Sequence, residues 1–150
     1  MMNIRRYTHH DQEAWDTLVR NARNATFLLF RKYMDYHSER FTDHSLLFYD
    51  SKDNLVAALP ANEVIYGDDG FNDTAARMLI SHQGLTYGGL IMHTRLHAAD
   101  TEEIFALIIS YMQQNGFAAL RYKPLPHIYH AHPSEEDEYW LWRNRAQLSA

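Results

Sequence analysis

The stretch Ser81-His82-Gln83-Gly84-Leu85-Thr86-Tyr87-Gly88-Gly89-Leu90 holds the densest set of chemically and conformationally special residues in the chain. An imidazole, several hydroxyls and paired glycines lie together there. Paired glycines inside a strand pattern mark a bulge or a close approach by another group. Small residues beside Thr86 and Tyr87 leave backbone amides open to a ligand. Ligand contact and tight packing of a neighbouring element are equally open readings of this block.

A second candidate is Arg40-Phe41-Thr42-Asp43-His44-Ser45. A carboxylate beside an imidazole can act as an acid–base pair. Neighbours on an extended chain point to opposite sides, however, so Asp43 is read first as a turn-stabilising residue. Lys123 stands between Tyr122 and Pro124-Leu125-Pro126. It can hold an anion at a rigid strand end or be an ordinary exposed lysine. His127, His130 and His132 flank Tyr129 in a Pro-containing loop. Three imidazoles can ligate zinc, but this spacing matches no defined site geometry and no acid joins them, so no metal is expected. His93 and His97 follow a strand rather than sharing a helix face. The chain has no Gly-x-Ser-x-Gly elbow, no phosphate-binding P-loop and no Gly-x-Gly-x-x-Gly turn.

Those residues need a scaffold, and the hydrophobic pattern supplies one. Residues 3–8 read as a strand. Trp15, Leu18, Val19 and Ala22 repeat with helical spacing, predicting a helix over 11–24. Residues 31–40 predict a shorter helix. Ser45–Tyr49 and Leu55–Leu59 flank the turn residues Asp50-Ser51-Lys52-Asp53-Asn54 and predict a hairpin. Residues 60–76 read as loop with one weak strand near 64–66. Residues 78–81 and 85–92 flank another turn. Asp100 is expected to cap a helix, with Glu103 completing a capping box. Ile104, Leu107, Ile108, Tyr111 and Met112 form its buried stripe, and Asn115-Gly116 ends it. Residues 117–122 read as a strand and 135–147 as a last helix or extended segment.

At 150 residues, with 46% hydrophobic residues, the chain is one domain with material for a real core. A formal charge of −5 argues against a nucleic-acid partner. The absence of cysteine excludes disulfides, thiolate zinc sites and cysteine nucleophiles. No run is long enough for a membrane span, and the N-terminus lacks a secretory apolar core. A cytoplasmic location is the expectation.

Several of these features occur together in one family. The chain resembles the N-terminal half of bacterial GNAT-like acyltransferases of the FemAB type. The matching pieces are Phe27–Phe30, Tyr36-His37-Ser38-Glu39-Arg40-Phe41-Thr42-Asp43-His44-Ser45-Leu46, Leu55 to Ala61, Ser81 to Gly89, and Tyr122-Lys123-Pro124-Leu125-Pro126-His127-Ile128-Tyr129-His130. The resemblance implies an α/β (α+β) fold, a mixed and mostly antiparallel sheet flanked by helices. It also implies an N-acyltransferase that joins an acetyl or aminoacyl group to a small-molecule, peptide or sugar amine. On that reading His82 and Tyr87 are the catalytic candidates, with His37 a further proton acceptor. His37, Asp43, Thr86, Gly88, Gly89, Lys123 and Tyr129 are the substrate-binding candidates.

The chain departs from the family in two ways. GNAT enzymes hold the acetyl-CoA pyrophosphate on a Gln/Arg-x-x-Gly-x-Gly/Ala turn at a helix N-terminus. Here the corresponding stretch is His93-Thr94-Arg95-Leu96-His97-Ala98-Ala99-Asp100, with no glycine and with an acid at the helix start. Acetyl-CoA or another acyl donor is therefore expected without support from a glycine-rich motif. Relatives also carry a second GNAT-like half, so residues 1–150 are read as one GNAT-like domain, the first of two, pairing with such a half or with a second copy. The rival reading is a non-catalytic structural, acceptor-binding or dimerising domain with Trp140 and Trp142 at an interface.

Overall fold

A computed structural model describes residues 1–36, 41–66, 76–82, 88–123 and 141. The described elements run β1 (Asn3–Arg6), α1 (Gln12–Arg20), α2 (Arg31–Met34), β2 (Thr42–Asp43), β3 (Leu46–Tyr49), β4 (Leu55–Leu59), β5 (Asn62–Tyr66), β6 (Ala76–Ile80), β7 (Ile91–Met92), α3 (Ala98–Gln114) and β8 (Phe117–Arg121). Short 3-10 turns precede α1 and α2.

The strands form two four-stranded sheets, ordered β1-β3-β4-β7 and β2-β5-β6-β8. The two are coupled by the chain itself. Only His44-Ser45 separates β2 from β3, and only Pro60-Ala61 separates β4 from β5. At this bend the His44 amide donates to Ala61 O at 2.9 Å, and the Ala61 amide donates to Ser45 Oγ at 3.1 Å. Among the described strands all pairings are antiparallel except β6 with β8, which run parallel because α3 carries the chain back across the sheet. The expected mixed, mostly antiparallel sheet with flanking helices is what forms.

Side-chain alternation sends the central strands' residues to two cores. Leu46, Phe48, Ala57, Leu59, Leu90 and Met92 face α3, where Ile104, Phe105 and Ile108 meet them. Leu47, Ala58 and Ile91 face the other way, against Trp15, Leu18, Val19 and Ala22 of the α1 segment. Burial on both faces explains why Leu46-Leu47-Phe48 is continuously apolar rather than alternating.

Several boundaries differ from the sequence expectation. The α1 helix stops at Arg20 because the chain must turn to bridge Ala22 to His93. Helix α2 runs only from Arg31 to Met34, followed by a short turn. Asp100 is not the cap of α3. His97 is, and Asp100 sits at the third helical position, where its carboxylate accepts the His97 amide at 2.9 Å. Residues 62–66 form a full strand, since their partners on β6 lie beyond the local pattern. Gly116 ends α3 with a φ of +73°, as its type predicted. The expected segment 135–147 falls almost wholly outside the described residues.

Candidate functional site

The parallel ladder between β6 and β8 ends at Ser81, whose amide donates to Arg121 O at 2.8 Å. His82 then adopts a φ of 33°, in the left-handed region that non-glycine residues rarely enter. Its amide turns to Pro60 O at 3.2 Å. The chain returns to the β8 side at Gly88, whose amide reaches Lys123 O at 3.0 Å, and at Leu90, whose amide reaches Tyr122 Oη at 2.6 Å. Gly88 and Leu90 thus lie against the end of β8 without joining its ladder, and the next strand, β7, pairs with β4 instead. Gly88 lies so close to this bend that a Cβ there would meet His82 Cβ and Ser81 O, each at 3.2 Å. Gly89 is buried beside it.

His82 is 4% exposed. Its Nδ1 and the Ser81 Oγ are buried without a hydrogen-bond partner among the described residues. Burial pulls the imidazole pKa down to about 4; the Asp43 carboxylate opposes that shift, while Arg31 and Lys123 reinforce it. His82 is therefore neutral at pH 7, with one donor and one acceptor nitrogen. The Phe41 ring lies 6.2 Å from it. Burial also lowers the Lys123 ammonium, with Arg121 adding to the effect.

Asp43, on β2, holds its own turn through Oδ1, which accepts the Ser45 amide at 2.7 Å. Its Oδ2 takes a hydrogen bond from Arg31 Nη1. Arg31 opens α2 and is fully buried. Its guanidinium lies 3.6 Å from the Tyr7 ring centroid and 4.0 Å from that of Trp15. These faces solvate the cation where Nε and Nη2 have no hydrogen-bond partner among the described residues. Asp35 Oδ1 lies 3.2 Å from Nη1, and Asp16 Oδ1 accepts the Arg31 backbone amide at 2.9 Å. Burial raises the Asp35 carboxyl above its usual range, against the pull of Arg31. Burial likewise pushes the Tyr7 hydroxyl up to about 12. The outer faces of the Asp43 and Asp35 carboxylates remain open, with side chains 35% and 42% exposed.

The structure thus packs Gly88 on Ser81-His82 and ties its amide to Lys123 O, while the charges of Asp43 and Lys123 act in opposite directions on the His82 imidazole. It does not pair Asp43 with His44. His44 points to the opposite side, its Nδ1 3.2 Å from Glu63 Oε2 and its Nε2 2.5 Å from Tyr111 Oη. Arg77 completes that second cluster through Glu63 at 2.6 Å. His37, Thr86, Tyr87 and Tyr129 lie outside the described residues, as do the loop histidines 127, 130 and 132. Sequence reasoning missed Arg31, Asp35 and Tyr7. A charged residue directly after the apolar run Phe27–Phe30, with an acid at i+4, was the available signal for Arg31.

Among the described residues no group of three or more potential ligands could hold a metal ion. None of their helices is long and apolar enough to cross a membrane.

No protein-family model and no curated protein sequence matches the chain. Solved structures do match in fold. The aminoglycoside 6'-N-acetyltransferase AAC(6')-Ih from Acinetobacter baumannii superposes with a TM-score of 0.54 at 11% identity, over 99% of this chain and 92% of that one. Glucosamine-6-phosphate N-acetyltransferase from Arabidopsis thaliana gives 0.52 at 9% identity, over 100% and 94%. Aminoglycoside N-acetyltransferase AAC(6')-Iy in complex with CoA gives 0.53 at 10% identity, over 100% and 90%. At such identities the likeness establishes a GNAT-like fold.

Proposed function

We propose that this chain is a GNAT-like domain of an N-acyltransferase and that it binds the amine acceptor. The carrying observation is His82, a buried, neutral imidazole with an unfilled ring nitrogen, set at the strand bend and within the field of Asp43. The fold shared with structures named as N-acetyltransferases supports the reading.

The residues fit an order of events at the acceptor. An amine arrives as an ammonium, and the open faces of Asp43 and Asp35 attract it. Arg31 anchors both carboxylates, so the acidic wall keeps its shape. A base whose pKa is about 4 takes no proton from a free ammonium at neutral pH. The ammonium therefore loses its first proton to water, and the free amine's lone pair attacks the acyl carbon. The N–H of the resulting adduct is more acidic than the free ammonium, so its proton passes to the His82 acceptor nitrogen. The bond between the acyl carbon and the donor then breaks, and the departing donor group takes the proton back from His82. Tyr87 and Thr86 belong to the same reading as substrate-orienting hydroxyls, and His37, Gly89, Lys123 and Tyr129 as further contacts. The finer expectations also stay within it: FemAB-type acceptor chemistry, acetyl-CoA or another acyl donor, and a second GNAT-like domain or a second copy beside this one.

The test is transfer from acyl donors of several classes to a panel of small amines, amino sugars and peptides. His82→Gln should lower kcat by about 100-fold or more, the usual contribution of a positioned base, with the fold intact by circular dichroism. Unchanged turnover in a folded His82→Gln variant would remove His82 from the mechanism.

A further inference from the structure

We infer that the turn before α3 is a self-capped structural turn that takes no diphosphate, so that any acyl donor of this domain is anchored elsewhere. The inference rests on the acyltransferase reading only for that last consequence; the state of the turn stands on its own hydrogen bonds.

A diphosphate at a helix N-terminus needs several backbone N–H groups that are free and aimed outward. The amides of residues 93–97 are all engaged within the protein. His93 N donates to Val56 O at 2.9 Å and Thr94 N to Asn21 O at 3.3 Å. Arg95 N donates to His93 Nδ1 at 3.1 Å, and Leu96 N to His93 O at 3.1 Å. His97 N donates to Asp100 Oδ2 at 2.9 Å. In the first helical turn, Asp100 N and Thr101 N both point back to His97 O, at 3.0 and 3.2 Å. The amides of Ala98 and Ala99 share that turn with the Asp100 carboxylate, whose charge opposes a phosphate's.

The carbonyls are committed as well. Arg23 is buried, and its Nη2 donates to His93 O and Thr94 O, each at 3.1 Å, and to Leu96 O. A guanidinium held inside the turn draws three peptide oxygens towards it. Flipping those peptides to present N–H groups would strip a buried cation of its acceptors. The Arg23 backbone adds a bond to Met92 O at 3.0 Å, so the α1 end and the α3 start form one locked unit. Opening this turn for a ligand therefore requires breaking several bonds together.

The experiment is a titration of the 15N-labelled protein with CoA and acetyl-CoA to millimolar concentration, reading backbone amide shifts. The amides of Thr94, Leu96, His97 and Thr101 should hold their positions, whether or not CoA moves others. Saturable shifts centred on those four, reversed by inorganic diphosphate, would overturn the inference. Hydrogen exchange gives an independent reading without ligand. The His97 amide should exchange slowly and should lose its protection in Asp100→Ala. Fast exchange of His97 in the native protein would also overturn it. Neither readout depends on turnover, so a failed amine-transfer assay and a failed capped turn remain distinguishable.

Discussion

Gly88→Ala tests the geometry of the strand bend most directly. The added Cβ would lie 3.2 Å from His82 Cβ, 3.2 Å from Ser81 O and 3.3 Å from Ser81 Oγ. The two closest atoms are a Cβ and a backbone carbonyl, not the flexible end of a side chain. Neither can swing away alone, because Ser81 N is tied to Arg121 O at 2.8 Å and His82 N to Pro60 O at 3.2 Å. The bend must open by a few tenths of an ångström. Overpacking of this kind costs about 1–3 kcal/mol. At about 2–4 °C per kcal/mol for a chain of this size, the melting temperature should fall by about 2–12 °C. Differential scanning calorimetry with urea denaturation measures this. Gly116→Ala is the control of opposite kind: its Cβ meets nothing within 4 Å, but its φ is +73°. It should cost about 1–2 kcal/mol through backbone strain alone. The two variants should separate in function, since only Gly88→Ala displaces His82. A Gly88→Ala protein as stable as the parent, with unchanged amine transfer, would refute the close packing of Gly88 on Ser81-His82.

Other perturbations probe the same neighbourhood. His82 carries a depressed pKa, about 4 against 6.5 unfolded, so between those values the unfolded chain binds more protons and stability rises with pH. Stability is full above about pH 6.5 and falls by roughly 3 kcal/mol as pH drops to about 4. The lowered His44 pKa acts in the same direction and the raised Asp35 pKa against it. Urea melts across this window should therefore show a shallower slope in His82→Gln than in the parent. Arg31→Met should destabilise by about 1–3 kcal/mol, because it removes the ion pairs and ring contacts of a buried cation while the part-exposed Asp43 and Asp35 carboxylates stay hydrated. Adding Asp43→Asn to Arg31→Met should recover part of the loss, a coupling that a double-mutant cycle in urea measures. Asp43→Asn alone should raise KM for a cationic amine by about fivefold, equivalent to roughly 1 kcal/mol, with the difference shrinking at high salt. An equal loss for neutral acceptors would contradict the electrostatic role.

Local patterns were enough for much of the scaffold. The helical repeat of Trp15, Leu18, Val19 and Ala22 identifies a face that is indeed buried, and Asp50–Asn54 separates two strands that pair as expected. Gly116 marks a helix end because a left-handed residue is a property of one position. Of the block Ser81–Gly89, the described residues include a left-handed His82 and a Gly88 packed against it. What the local patterns could not contain is partnership across distance. Asp43 meets Arg31 on another element, and Arg31 is held by the rings of Tyr7 and Trp15, all joined only when the α1 layer closes on the sheet. The low pKa of His82 likewise comes mainly from burial, which no neighbour in sequence supplies. The cap of α3 moved to His97 for the same reason: Arg23 and Asn21 fix the preceding turn from the far end of α1. Periodicity and turn chemistry are short-range and survive in the bare sequence, whereas desolvation, ion pairing and buried hydrogen bonds exist only once remote segments share a surface.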